Sequence, residues 1–181
     1  MRAAGLAVLI AAASATLALA ETPPPSTPPA APAPAAPPAP AAPIQTVIVG
    51  PTGKTLVVTP QVLAGLDREQ ATLINHSAPH VYEGVLLTEL LRLVGAPTGA
   101  RIHADADRDY LVVTGGDHFR AVYSLAETDR SVQRHPTILA DRMDGAPLNV
   151  HDAPYRLVVD GDQKPSRSVY AVSLIEVKVL P

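Results

Sequence analysis

Short runs of alternating apolar and polar residues dominate the chain after residue 44, and this period-two pattern predicts β-strands. Two β-branched runs, at residues 46–49 and 54–58, flank a Gly-Pro-Thr-Gly turn and predict a hairpin. A second hairpin, with a Gly-Gly-Asp turn, is predicted over residues 110–125. Further strands are predicted at residues 71–75, 155–159 and 169–179.

Helical periodicity is clear in one place. One apolar stripe has the i, i+3, i+4, i+7 spacing of an α-helix: Leu87, Leu90, Leu91 and Val94. Gly95 follows as a helix stop. A short helix that ends near residue 66 is predicted after Thr59, an N-cap residue followed by Pro60 at the first helical position. Because strands outnumber helices, we predict an α+β domain with a mixed, mainly antiparallel sheet and a few short helices.

The first 43 residues differ in composition from the rest of the chain. An apolar run follows Arg2 and ends in Ala-Leu-Ala, the small-residue pattern that a signal peptidase accepts, so we expect a cleaved signal peptide at residues 1–20. An uncleaved membrane anchor is the alternative, disfavoured because alanines make the run only weakly apolar. Residues 21–43 are nearly all Pro and Ala and predict a disordered, extended tether. The folded domain is expected at residues 44–181.

The predicted signal peptide also indicates where the protein is located. No second arginine stands beside Arg2, so the signal is of the Sec type and the domain is expected in the periplasm or secreted, with no membrane span after cleavage. The formal net charge of −3 argues against nucleic acid as a partner. The sequence contains no cysteine, which excludes disulfides and cysteine nucleophiles.

Two groups of residues are spaced like metal ligands but lack other features that a metal site needs. The alternate aspartates at residues 105–109 resemble the start of a calcium loop, but the glycine and the closing glutamate that such a loop needs are missing. His76 and His80 have a zinc spacing only on a helix, and Pro79 argues against a helix there. We therefore predict no metal site.

Two sets of polar residues remain as candidates for binding. Arg167 and Ser168 open the last predicted strand, and Arg156 lies on the strand before it. Guanidinium groups near a hydroxyl suit an anionic ligand, because they offer a planar fork of donors. His118 and Arg120, on the polar face of the second hairpin, are the second set. The alternative for both sets is a solvated sheet face with surface ion pairs.

The order of several motifs carries a family resemblance. The motifs are YEGVLLTELL at 82–91, GDHFRAVYSL at 116–125, APYRLVV at 153–159, RSV at 167–169 and IEV at 175–177. In this order they resemble the sulfite-oxidase-type molybdopterin-binding domain, over roughly residues 82–179. The resemblance implies an α+β fold and, in true enzymes, a molybdenum–pterin cofactor in oxidoreductase chemistry. It also implies that Arg167 and Ser168 contact the pterin or its phosphate, while Tyr170 replaces the family's lysine.

Two departures from the family change the functional prediction. Family enzymes bind molybdenum through a cysteine thiolate, and this chain has none. A Sec-type signal is the second departure, because such cofactors are loaded before export of the folded protein. We therefore expect a non-catalytic binding or accessory module without a cofactor, for an anionic ligand or an envelope protein. Two alternatives stay open: a molybdopterin-dependent oxidoreductase that binds the cofactor without cysteine, and a purely structural exported domain.

Overall fold

The computed structural model describes residues 43–75 and 77–180, which form two β-sheets of five strands each. The predicted signal peptide and almost all of the predicted tether lie outside the described residues. The strands are β1 Val47–Val49, β2 Thr55–Val57, β3 Arg68–Asn75, β4 Ala78–Leu86, β5 Tyr110–Gly115, β6 Arg120–Ser124, β7 Thr137–Met143, β8 Ala146–Pro147, β9 Arg156–Val159 and β10 Val172–Lys178.

The first sheet has the strand order β2-β1-β10-β5-β6. Its β1–β10 pair is parallel, and its other pairs are antiparallel. In the second sheet the order is β3-β4-β7, and β8 and β9 both pair with the far side of β7; these pairs are all antiparallel. The predicted α+β class with mainly antiparallel sheet is therefore confirmed.

The helices are short and begin where the sequence predicts them. Helix α1 spans Pro60–Ala64, and the Thr59 side chain accepts a hydrogen bond from the Val62 N–H. Helix α2 spans Leu87–Leu93, its predicted apolar stripe is buried, and Gly95 follows with a φ of 83°. Four short 3₁₀ helices complete the described chain: Gly99–Arg101, Ala104–Arg108, Ala126–Thr128 and Pro165–Arg167. None of the helices in these residues is long and apolar enough to cross a membrane.

Two strands begin two or more residues later than the sequence predicts. The return strand of the second hairpin, predicted from His118 onward, starts at Arg120, because His118 adopts a left-handed φ of 67° in the turn. The last strand starts at Val172 rather than at residue 169, and Ala171 before it has a φ of 45°. The chain therefore bends just before β10, next to the predicted Arg167–Ser168 segment.

The second sheet carries an apolar core on each of its faces. The larger core takes residues from both sheets and from α2, including Leu157 of β9. A smaller core on the opposite face includes Tyr82 of β4 and Val158 of β9. Consecutive strand residues point to opposite faces, so β9 contributes to both cores. Strands β4 and β7 approach closely at Gly84, where a Cβ atom would lie 2.1 Å from the Leu139 carbonyl oxygen.

Candidate functional site

The candidate site is built around Arg156, the first residue of β9. Pairing of β9 with β7 sets Arg156 opposite Ala140. Its side chain lies on the same face as Val158, two residues further on, and hence beside the smaller core. Only 1% of Arg156 is exposed. A positive charge this deeply buried requires compensating partners.

Two of the three guanidinium nitrogens have such partners. The Nε atom donates to Ser168 Oγ at 2.8 Å, and Nη1 donates to Tyr82 Oη at 2.8 Å and to Asp152 Oδ2 at 3.0 Å. Ser168 Oγ in turn donates to the Leu157 carbonyl at 2.7 Å. The side chain of Asp152 is 5% exposed, so Arg156 and Asp152 form a buried ion pair.

The third nitrogen, Arg156 Nη2, is buried and has no hydrogen-bond partner among the described residues. The guanidinium carbon lies 4.0 Å from the centre of the Tyr170 ring and 4.9 Å from that of the Tyr82 ring. These contacts are within the range of cation–π attraction, but they do not replace a hydrogen-bond acceptor. The site therefore retains an unused donor beside a buried ion pair.

Arg156 also lines a cavity of about 410 Å³. Its lining comes from the β3–β4 hairpin, the end of β7, the loop before β9, the first residue of β9 and the segment before β10: Asn75, His80, Met143, Asn149, His151, Asp152, Arg156 and Tyr170. The Asn149 Oδ1 atom accepts from the backbone N–H groups of His151 (2.8 Å) and Asp152 (3.2 Å). This Asx turn fixes the loop that carries the Asp152 carboxylate.

Near Arg156, the pKa of Tyr82 is shifted and the side chain of His80 is paired with Asp144. Burial raises the pKa of the Tyr82 phenol above its ordinary value, against the opposing charge of Arg156, so the phenol is neutral at physiological pH. His80 Nδ1 lies 2.7 Å from Asp144 Oδ2. The hydrogen bonds from His80 and from the Val81 N–H lower the pKa of Asp144, which keeps it ionised.

The structure brings together only two members of the first predicted set. Arg156 and Ser168 are hydrogen bonded, and Ser168 is buried just after a 3₁₀ helix rather than at the opening of a strand. Arg167 is bound elsewhere: its Nη1 donates to Glu127 at 3.2 Å and its Nη2 to Asp162 at 3.0 Å. Arg167 does not line the cavity beside Arg156.

The second predicted set is separate from this cavity. His118 lies in the turn between β5 and β6, Arg120 begins the edge strand β6, and both residues are exposed. Neither of them lines the cavity beside Arg156. The sequence did not single out Tyr82 or Asp152 as site residues, and it marked Tyr170 only as the replacement for the family's lysine. An available signal was the isolated charge of Arg156 within an apolar strand, with an aspartate four residues before it.

Of the residues that are spaced like metal ligands, the structure describes all but His76. His76 lies outside the described residues, and His80 is on a strand, where it contacts Asp144. The aspartate-rich segment forms the 3₁₀ helix Ala104–Arg108, in which Arg108 pairs with Asp105. No cluster of three or more His, Asp or Glu side chains within the described ranges is arranged to hold a metal ion.

The residues around Arg156 do not fit a complete molybdenum–pterin cofactor. The sequence has no cysteine, so it supplies no thiolate for the metal. The Nη2 donor of Arg156 and the imidazole of His151 can instead donate hydrogen bonds to an acceptor on a ligand. The donor set therefore fits an oxyanion rather than molybdenum.

Comparison with known proteins bears on the fold alone. No protein-family model and no curated protein sequence matches the chain. Among solved structures, the fold is similar to that of the sulfane dehydrogenase SoxCD from Paracoccus pantotrophus, with a TM-score of 0.56 and 21% sequence identity. The match covers 76% of this chain and 39% of that chain. This distant likeness supports the molybdopterin-binding-domain-like fold that the motif order implied.

Proposed function

We propose that the chain is an exported, non-catalytic binding module, and that its cavity beside Arg156 takes a small ligand with an oxyanion group. Carboxylates, sulfonates and phosphates present acceptors of the required kind. The observation that carries the proposal is the buried Nη2 of Arg156, which has no acceptor in the part of the chain that the structure describes. The proposed export rests on the composition of residues 1–43.

An unpaired donor of this kind is informative because it is costly. A buried polar group without a partner destabilises a protein by about 1–3 kcal/mol, and such groups commonly mark a bound water, ion or ligand. A ligand oxygen at Nη2 would remove that penalty. The cavity of about 410 Å³ is also within the size range of small-molecule sites.

The electrostatics of the cavity support a ligand with a single charge. Asp152 already balances the charge of Arg156, so the guanidinium contributes chiefly a directed hydrogen bond. His80 and His151 add imidazole groups to the wall. A weakly hydrated monoanion would therefore gain hydrogen bonds here without bringing several charges into a buried environment.

One observation favours the alternative of an oxidoreductase, namely the fold likeness to a dehydrogenase structure. Metal analysis of the protein purified from its native cell envelope separates the two proposals. The binding-module proposal expects no stoichiometric molybdenum. One molybdenum atom per chain would overturn the non-catalytic assignment, whatever group supplies its ligands.

Calorimetric titration with acetate, sulfate and inorganic phosphate tests the binding site. The variant Arg156→Lys keeps a cation for Asp152 but loses the planar fork that provides Nη2, so we expect at least tenfold weaker binding. Arg167→Lys is the matched control, since Arg167 is a partly exposed arginine that already bonds to two carboxylates. His151→Ala, at an exposed position on the cavity wall, keeps the test informative if Arg156→Lys does not fold.

The titrations have two outcomes that contradict the proposal. The first is that none of the three anions binds to the unmodified protein at millimolar concentration. The second is that binding is unchanged in both Arg156→Lys and His151→Ala, which would place the anion away from this cavity. Equal losses in Arg167→Lys and Arg156→Lys would also count against it, because only Arg156 lines the cavity.

A further inference from the structure

A second cavity lies directly beside the first. Its volume is about 490 Å³, and it shares His151 and Tyr170 with the cavity next to Arg156. The two cavities therefore adjoin at these two residues. The rest of the second cavity is lined by Ile44, Gly116, Asp117, Val150 and Ala171.

Backbone hydrogen bonds hold the walls of the two cavities together. The Ala171 N–H donates to the Asp152 carbonyl at 3.1 Å, and the Gly116 N–H donates to the Ala171 carbonyl at 2.9 Å. These bonds join the loop before β9, the segment before β10 and the β5–β6 turn. The second cavity is thus fixed relative to the Asp152 carboxylate, and so to Arg156.

The second cavity differs from the first in its chemistry. Val150 is 86% exposed and Ile44 is 37% exposed, although both side chains are apolar. A Cβ atom at Gly116 would lie 2.4 Å from Ile44 Cδ1, so glycine leaves room for the isoleucine side chain there. A ligand that covers these exposed apolar side chains removes apolar surface from water, which lowers the free energy of the complex.

We propose that the two cavities form one extended site for a monoanionic amphiphile, such as a short-chain alkanoate or alkanesulfonate. The head group binds at Arg156, and the tail passes His151 and Tyr170 to lie against Ile44 and Val150. Asp117 in the second cavity would repel a second anionic group at the end of the tail. The inference rests on the proposed function for the head group and adds the identity of the tail.

Titration with acetate, butyrate and hexanoate tests the tail. Burial of apolar surface predicts an affinity that rises about threefold to fourfold for each added methylene that enters the second cavity. In Val150→Ser this dependence on chain length should flatten, while acetate binding stays unchanged. Val132→Ser is the matched control, because Val132 is also an exposed valine (59%) but lines neither cavity.

Adipate, the dicarboxylate with as many carbons as hexanoate, tests the charge. Adipate should bind at least tenfold more weakly than hexanoate. Asp117→Asn removes the repelling carboxylate, so in this variant the affinities of adipate and hexanoate should be closer to each other. Equal binding of adipate and hexanoate would overturn the assignment of a monoanion. Equal binding of acetate and hexanoate would overturn the extended site but leave the proposed function standing. Failure of every carboxylate to bind would overturn the extended site, and failure of sulfate and phosphate as well would contradict the proposed function.

Discussion

Removal of the Asp152 carboxylate tests how strongly the buried Arg156 depends on its ion pair. In Asp152→Ala the guanidinium keeps its hydrogen bonds to Tyr82 and Ser168 but loses the negative charge that balances it. Arg156 is 1% exposed and the Asp152 side chain is 5% exposed, so water screens the remaining charge much less than it would at the surface. The variant therefore leaves an uncompensated charge inside the protein.

The expected magnitude follows from this burial. Breaking a buried ion pair by removing one partner costs about 3–5 kcal/mol of unfolding free energy. The pair between Arg167 and Asp162 has the same N–O distance of 3.0 Å, but its side chains are 41% and 22% exposed. Arg167 also retains Glu127, so Asp162→Ala should cost only about 0–1 kcal/mol.

Urea denaturation of both variants, followed by circular dichroism, measures the two costs. Equal denaturant slopes establish that the midpoints report stability rather than a change in the unfolded state. Asp152→Ala combined with Arg156→Met removes both charges, and we expect it to recover at least about 1 kcal/mol relative to Asp152→Ala alone. If Asp152→Ala costs no more than Asp162→Ala, burial does not set the strength of this pair and the reasoning is refuted.

Two further predictions concern the fold. Leu90→Ala, at a fully buried position of α2, should lower the unfolding free energy by about 2–5 kcal/mol. Leu93 lies on the same helix but is 37% exposed, so Leu93→Ala should lower it by less than about 1 kcal/mol. Equal losses of the two variants in urea denaturation would contradict the assigned helix face. Burial opposes ionisation of Asp129, but hydrogen bonds from the Gly99 and Ser131 N–H groups lower its pKa below the ordinary 3.8. The stability that these bonds contribute is present above pH 3.8 and is lost as the pH falls through the lowered pKa. The loss of unfolding free energy in Asp129→Asn, relative to the unmodified protein, should therefore be full at pH 7 and shrink below about pH 3.8. A deficit that grows in acid would refute this assignment.

The elements that the sequence predicts correctly depend on local signals. The first hairpin and the β5–β6 hairpin each have turn residues between alternating runs, and α1 begins at the Thr59–Pro60 cap. The apolar spacing of residues 87–94 defines α2. In each case the deciding residues lie within a few positions of one another, so the pattern is visible without knowledge of the fold.

Strands β4 and β7 were not predicted, because local alternation does not mark them. Strand β4 lies between β3 and β7, and β7 lies between β4 and β9. Residues 137–140 of β7 are buried without interruption, since the second sheet carries a core on each face. A strand that is covered on both faces has no polar face and loses the period-two pattern.

The sequence by itself determined the local elements, the absence of any cysteine thiolate and the candidacy of Arg156, Arg167 and Ser168. Only the tertiary structure decided how the two arginines differ. Tyr82, 74 positions from Arg156 in the sequence, helps to enclose it beside the smaller core. Arg167 instead stays near the surface with two carboxylates. Burial depends on residues far away in the sequence, so the unused donor of Arg156 and the cavity beside it could be recognised only in the folded chain.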